Sequence, residues 1–313
     1  MNHQTSHSSS RFRDVPYQQL SGLFYIRNFI SNEQGQELVS NMDGSSCRLH
    51  EKQDDHAEED DEFMNFNDDT KLESSSLWQT EIMSRRTQQF GYHFDYFSGG
   101  LKKMNSDSEV VTNALGIPFY LQSLVERVQQ EHEKLNMVQR TTSNIVHQQQ
   151  YEKTLELPIS QIILNEYCGP YQYIKKHVDS LHFGPVVSIV SLLQPCVMIL
   201  YEASQDGLPN QDYSSNEDVN EKNETTRTSL LDVSIPIKEL KTTGNRSSIV
   251  LEPNSLLILS GLARYRWKHE VISLKDYEKH GFSAKEVLGA DANEELYRRI
   301  SITMRSVLST SEE

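Results

Sequence analysis

Short apolar runs and segments in which apolar and polar residues alternate at every other position fill the second half of the chain, whereas two stretches of the first half repeat every three to four positions. That contrast predicts helices early and strands late. Leu23 to Ile30 reads as a short strand. Ser31 followed by Gln34 is a capping-box signature that opens a helix over SNEQGQELVSNM. Between Pro118 and Met137, apolar Leu121, Leu124, Val125 and Val128 mark one face of an amphipathic helix. RRTQQFGYHFDY, Arg85 to Tyr96, predicts a strand pair carrying four aromatic rings. Further strands are expected at Ile162 to Tyr167, Val186 to Leu193 and Val197 to Tyr201. Two more flank the Glu252-Pro253-Asn254 turn, and the last two are Arg264 to Ile272 and Arg299 to Val307. Many short strands with turns between them predict a mostly β protein with flanking helices, a double-stranded β-helix or jelly-roll barrel.

Breaks in the pattern define the organisation. Residues 1–16 form a polar tail, 17–308 one domain and 309–313 a second tail. Insertions near 48–70, 129–158 and 203–245 are rich in acidic, glutamine or polar residues and read as disordered. Much of the formal net charge of -15 falls in DDHAEEDDE, Asp54 to Glu62, and in Glu202 to Glu224. General polyanion binding is therefore disfavoured, while a local basic rim remains open. Three cysteines, Cys47, Cys168 and Cys196, lack CxxC spacing and suit a reducing compartment. No run is apolar enough for a signal peptide or a membrane span, which predicts a cytoplasmic or nuclear protein.

The candidate chemistry starts at His177-Val178-Asp179. In an extended segment, residues two apart point to the same side, so an imidazole and a carboxylate aim at one point. That is two thirds of the two-histidine, one-carboxylate face that holds a non-haem Fe(II). His269 shares a strand face with Tyr265, Trp267 and Val271 and lies 92 positions downstream (269 minus 177). It is either a core histidine or the third ligand. In Arg299 to Arg305 the odd positions are polar and the even ones apolar. Two guanidinium groups, roughly 20 Å apart along an extended strand, either meet solvent or clamp a dicarboxylate with converging side chains. Asn165 and Tyr167 supply an amide and a phenol from another strand.

Taken in order, Asn165-x-Tyr167, His177-x-Asp179, His269 and Arg299-x5-Arg305 resemble the AlkB family of Fe(II)- and 2-oxoglutarate-dependent dioxygenases. The likeness spans about residues 17–308. Leu164 to Tyr167, Ser255 to Gly261 with Arg264-Tyr265, and Arg298 to Ser301 are similar to the branch containing the tRNA-modifying homologue. The resemblance implies that His177, Asp179 and His269 bind iron. It implies that Arg299, with Tyr167 and Ser301, binds the distal carboxylate of 2-oxoglutarate, while Arg305 and Asn165 approach the carboxylate beside the keto group. Arg85, Arg86, Tyr92 and Phe94 resemble the substrate-side lid. The implied cofactors are Fe(II) and 2-oxoglutarate, with O2 as co-substrate. The implied reaction hydroxylates or oxidatively demethylates a modified nucleobase, tRNA favoured. Glu270 stands where the family commonly has glycine. No segment resembles the RNA-recognition or methyltransferase domains that accompany the vertebrate tRNA-modifying homologue. Two other readings stay open: the same chemistry on a protein side chain, and a non-catalytic scaffold protein on a decayed barrel.

Overall fold

A computed structural model describes residues 12–51, 78–79, 85–95, 98, 100–103, 115–142, 157–204 and 241–308. In chain order the strands are β1 (Arg13–Asp14), β2 (Leu23–Ile26), β3 (Arg86–Phe90), β4 (Tyr92–Phe94), β5 (Leu101–Lys103), β6 (Gln161–Cys168) and β7 (Ile174–His177). They continue with β8 (Phe183–Leu193), β9 (Cys196–Ala203), β10 (Thr242–Leu251), β11 (Leu256–Leu259), β12 (Trp267–Val271) and β13 (Arg298–Val307). The long helices are α1 (Asn32–Glu51) and α2 (Phe119–Thr142).

Two sheets form. One runs β2-β11-β8-β13-β6-β3 and the other β1-β10-β9-β12-β7, with β4 and β5 as a separate pair. From β6 onward the chain passes repeatedly between the two sheets, which is the jelly-roll arrangement anticipated from the strand pattern. The period-two alternation of β13 gives the sheet its two faces. Ile300, Ile302 and Met304 pack outward with Ile162, Leu164, Val190 and Leu192. Leu38 and Met42 of α1 and Leu121, Leu124 and Val128 of α2 cover that face. Each such side chain contributes about 1.5–3 kcal/mol by leaving water. The opposite face meets the second sheet, where Val187, Ile189 and Leu257 pack against Met198, Leu200 and Val271. The polar positions of β13 therefore turn into the barrel.

The capping box forms as expected: Ser31 N–H donates to Gln34 Oε1 at 3.0 Å, and Gln34 N–H to Ser31 Oγ at 3.3 Å. Several boundaries differ from expectation. α2 continues to Thr142 through residues read as insertion, because His132 and Leu135 extend its inward-facing repeat. The polar tail ends sooner than residue 16, since Arg13 and Asp14 pair with Asn245 and Arg246 and Val15 N–H donates to Arg246 O at 2.7 Å. β3 and β4 do not pair with each other. Gly91, at a φ of 79° that favours glycine, turns the chain there; a side chain at that position would collide with the Ser160 carbonyl. β4 pairs with β5 instead. Gly261–Tyr265 is a one-turn helix, so Tyr265 leaves the strand face it was expected to share with His269. Of the insertions expected near 48–70, 129–158 and 203–245, residues 52–70, 143–156 and 205–240 lie outside the described residues, while 48–51 belong to α1 and 242–245 to β10. Among the described residues no helix is long and apolar enough to cross a membrane.

Burial pushes His132 down to about 4. Its Nε2 lies 2.7 Å from Ser188 Oγ on β8. Because the folded value lies below the ordinary one of about 6.5, the unfolded chain takes the proton first as pH falls. Stability from this group is complete above pH 6.5 and is lost on the way down to about pH 4. Between pH 7 and pH 5 the wild type should lose about 2 kcal/mol more than His132→Gln, read from urea midpoints. Equal losses would remove His132 from the balance.

Candidate metal and cofactor site

β7 and β12 are neighbours, and their register sets His269 directly opposite His177. The two imidazoles stand 4.3 Å apart between centroids. Asp179 follows two residues after His177, and one ligand atom from each of the three lies within 4.8 Å of the others. His177 Nδ1 lies 2.7 Å from the Lys175 carbonyl. A carbonyl only accepts, so Nδ1 carries the proton and Nε2 keeps its lone pair for a metal. Asp179 Oδ2, 3.6 Å from His269 Nε2, is buried without a hydrogen-bond partner.

Charge prepares this cluster. Burial, reinforced by the neighbouring His177, pushes His269 down to about 3, so its imidazole is neutral at physiological pH. Burial alone would raise Asp179, but Arg305, His269 and Arg264 overcome it and hold the carboxyl well below the usual carboxylate range. Arg305 Nη1 donates to Asp179 Oδ1 at 2.6 Å, and its Nε to Gln161 Oε1 at 2.9 Å. The Arg305 guanidinium lies 3.8 Å above the Phe183 ring. Arg264, from the one-turn helix, donates to the backbone carbonyls of Asp179 at 2.9 Å and Ser180 at 2.7 Å.

The second half of the site lies on β13 and β6. Arg299 pairs with Tyr167 and Ser301 with Asn165, so four of the residues singled out in the sequence share the inner face. Arg299 is 1% exposed and stacks 5.2 Å above the Tyr167 ring. Its Nη2 donates to Ser191 Oγ at 3.1 Å, while Nε and Nη1 have no hydrogen-bond partner. Arg305 Nη2 is likewise unpaired. Asn165 Nδ2 points to Ser301 Oγ at 3.5 Å.

The four residues expected to form a lid separate. Arg85 is buried and donates through Nε to Asn165 Oδ1 at 2.7 Å. Arg86, the next residue, turns to the other face of β3, pairs with buried Glu166 and lies over Trp78, away from the pocket. Phe94 packs 5.6 Å from Phe183, beside Arg305. Tyr92, on the same face of β4 as Phe94, is partly exposed.

A profile of the 2OG-Fe(II) oxygenase superfamily matches residues 22–305. The chain belongs to this superfamily. It is a dioxygenase that uses Fe(II), 2-oxoglutarate and O2. Among solved structures, one titled "The structure of OsALKBH1" is similar at 14% identity and a TM-score of 0.44, with 91% of this chain and 96% of that chain covered. No curated protein matches. The superfamily's cofactors fit the residues present. Two neutral imidazoles and a carboxylate with a free oxygen form an oxygen- and nitrogen-rich donor set suited to Fe(II). The unpaired nitrogens of buried Arg299 require an acceptor that a dicarboxylate supplies.

Reading the sequence did not assign Arg264, Gln161, Phe183 or Ser191 to the site. Arg264 stood inside a quoted motif, yet only its burial and its two carbonyl partners show what it holds. Arg264→Met should lower Mn(II) affinity about 10–100-fold by freeing the Asp179 backbone. Calorimetry on the folded variant checks this, and unchanged affinity would leave Arg264 a purely structural residue.

Proposed function

We propose that His177, Asp179 and His269 hold the iron and that Arg299, Tyr167, Ser301, Asn165 and Arg305 bind 2-oxoglutarate, in an AlkB-like dioxygenase acting on a modified nucleobase. One observation carries the assignment. The three-residue cluster, with its unpartnered Asp179 Oδ2, adjoins a strand face whose arginines have unpaired nitrogens. When bound, iron with 2-oxoglutarate activates O2, yielding succinate and carbon dioxide and placing an oxygen atom on a substrate C–H bond. The chain's own residues bind and orient. Lys175 fixes the tautomer of His177 through its carbonyl, Arg305 fixes the rotamer of Asp179, and Arg299 gives one carboxylate a dry cationic seat. Residues 17–308 act as one catalytic unit in this reading.

The nucleobase substrate, with tRNA favoured, is supported by the AlkB-like motifs and by local charge. Lys102 and Lys103 are exposed on β5 opposite His93 and Tyr92, and Lys175 is exposed two residues before His177. These cations and rings stand out on a chain of net charge -15. They suit a phosphate backbone and an unstacked base.

The test measures succinate release by the full chain with Fe(II) and ascorbate, His177→Ala alongside, over tRNA, alkylated DNA and a methyl-lysine peptide. The expected result is release that needs His177 and rises with tRNA, with tRNA binding that weakens as salt increases. Stimulation by the peptide alone would move the substrate to protein. Release indifferent to His177 would overturn the metal assignment.

A further inference from the structure

The Asn165 amide has an acceptor on one side and two donors on the other, so its orientation decides what it offers a carboxylate. Arg85 settles that orientation. Its Nε can only donate and lies 2.7 Å from Asn165 Oδ1, with both residues buried. Oδ1 is therefore held towards β3, and Nδ2 points towards β13, where it lies 3.5 Å from Ser301 Oγ. Strand register brings Arg85 there. Thr87 pairs with Asn165, and alternation puts Arg85, Thr87 and Gln89 on one inward face, all three buried. Arg86 takes the outward face and its partner Glu166. The likeness to a lid thus covers two arginines with opposite surroundings.

We propose that Arg85 is a positioning residue for 2-oxoglutarate, holding the Asn165 amide so that its NH2 faces the cofactor rather than its oxygen. The assignment rests on the cofactor reading of Asn165 given above. A carbonyl oxygen turned to the pocket would repel a carboxylate that the NH2 group attracts, so loss of Arg85 acts on 2-oxoglutarate through Asn165.

A double-mutant cycle reads that route directly. 2-Oxoglutarate affinity is measured by calorimetry on the full Mn(II)-loaded chain for wild type, Arg85→Met, Asn165→Ala and the double variant. Arg85→Met should weaken binding about 10-fold, and Asn165→Ala by a similar factor. The double variant should be no more than about twofold weaker than Asn165→Ala, which a general structural role of Arg85 would not produce. Equal losses from Arg85→Met on both backgrounds, or none on the wild-type background, overturn the proposal. Should methionine at 85 unfold the chain in a thermal melt, Arg85→Gln, too short to reach Asn165, runs the same cycle. Failure of the wild type itself to bind 2-oxoglutarate would sink the cofactor assignment, an outcome separate from additive losses in a binding-competent protein.

Discussion

Replacing Asp179 by alanine should abolish Fe(II) binding and also destabilise the metal-free protein by about 3–5 kcal/mol. Its carboxylate is buried, accepts from Arg305 Nη1 at 2.6 Å, and sits where Arg264 grips its own backbone. Alanine leaves two buried guanidinium groups without their anion. A fold-neutral loss of metal, the simple expectation for an iron ligand, therefore does not hold at this position. His177→Ala is the cleaner probe, because His177 is partly exposed and no arginine depends on it for a hydrogen bond among the described residues. Calorimetry with Mn(II) and urea denaturation of the metal-free forms separate the two effects. Retained metal affinity in Asp179→Ala would remove the carboxylate from the ligand set.

Arg299 should behave in the opposite way. Arg299→Met should weaken 2-oxoglutarate binding by about 2–5 kcal/mol, the range for truncating one partner of a desolvated charge pair, or about 30-fold to several-thousand-fold in Kd. Without 2-oxoglutarate the same variant should be at least as stable as wild type. The guanidinium is buried with two unpaired nitrogens, and an apolar side chain of similar length removes that desolvation penalty. Thermal melts with and without 2-oxoglutarate test both statements together. A variant that binds normally would show that this face of β13 serves packing alone; one that melts early without cofactor would show that Arg299 already has adequate partners.

The strength of the sequence lay in its alternations. The odd and even positions of β13 separate cleanly, and the structure turns the odd ones inward and the even ones under α1 and α2. His177-x-Asp179 places two chemical groups together because a two-residue spacing is local geometry. Which face of β13 is inside is not local, since it depends on the helices that cover the other side. The same limit explains Arg85 and Arg86: adjacent in sequence, they have opposite fates because β3 pairs with β6 in a register that spacing does not reveal. Tyr265 kept the alternating pattern of Trp267 and His269, yet Gly261, at a positive φ of 47°, opens a helical turn that ends just before β12. Arg264 was legible as a residue and illegible as a clamp, because its partners are carbonyls some 85 positions away.

The two halves of the site differ in how firmly the sheets hold them. β13 is hydrogen-bonded on both sides, to β8 and β6, so Arg299 and Arg305 cannot leave without opening the centre of a six-stranded sheet. Among the described residues β7, which carries His177, is the edge of the other sheet and pairs only with β12, with a register irregularity on the partner between His269 and Val271. Backbone amides of β7 should exchange with deuterium well before those of β13. With the metal seated as proposed, a chelator would then strip it through local opening at one rim, while the arginine-lined half would keep its shape for reloading.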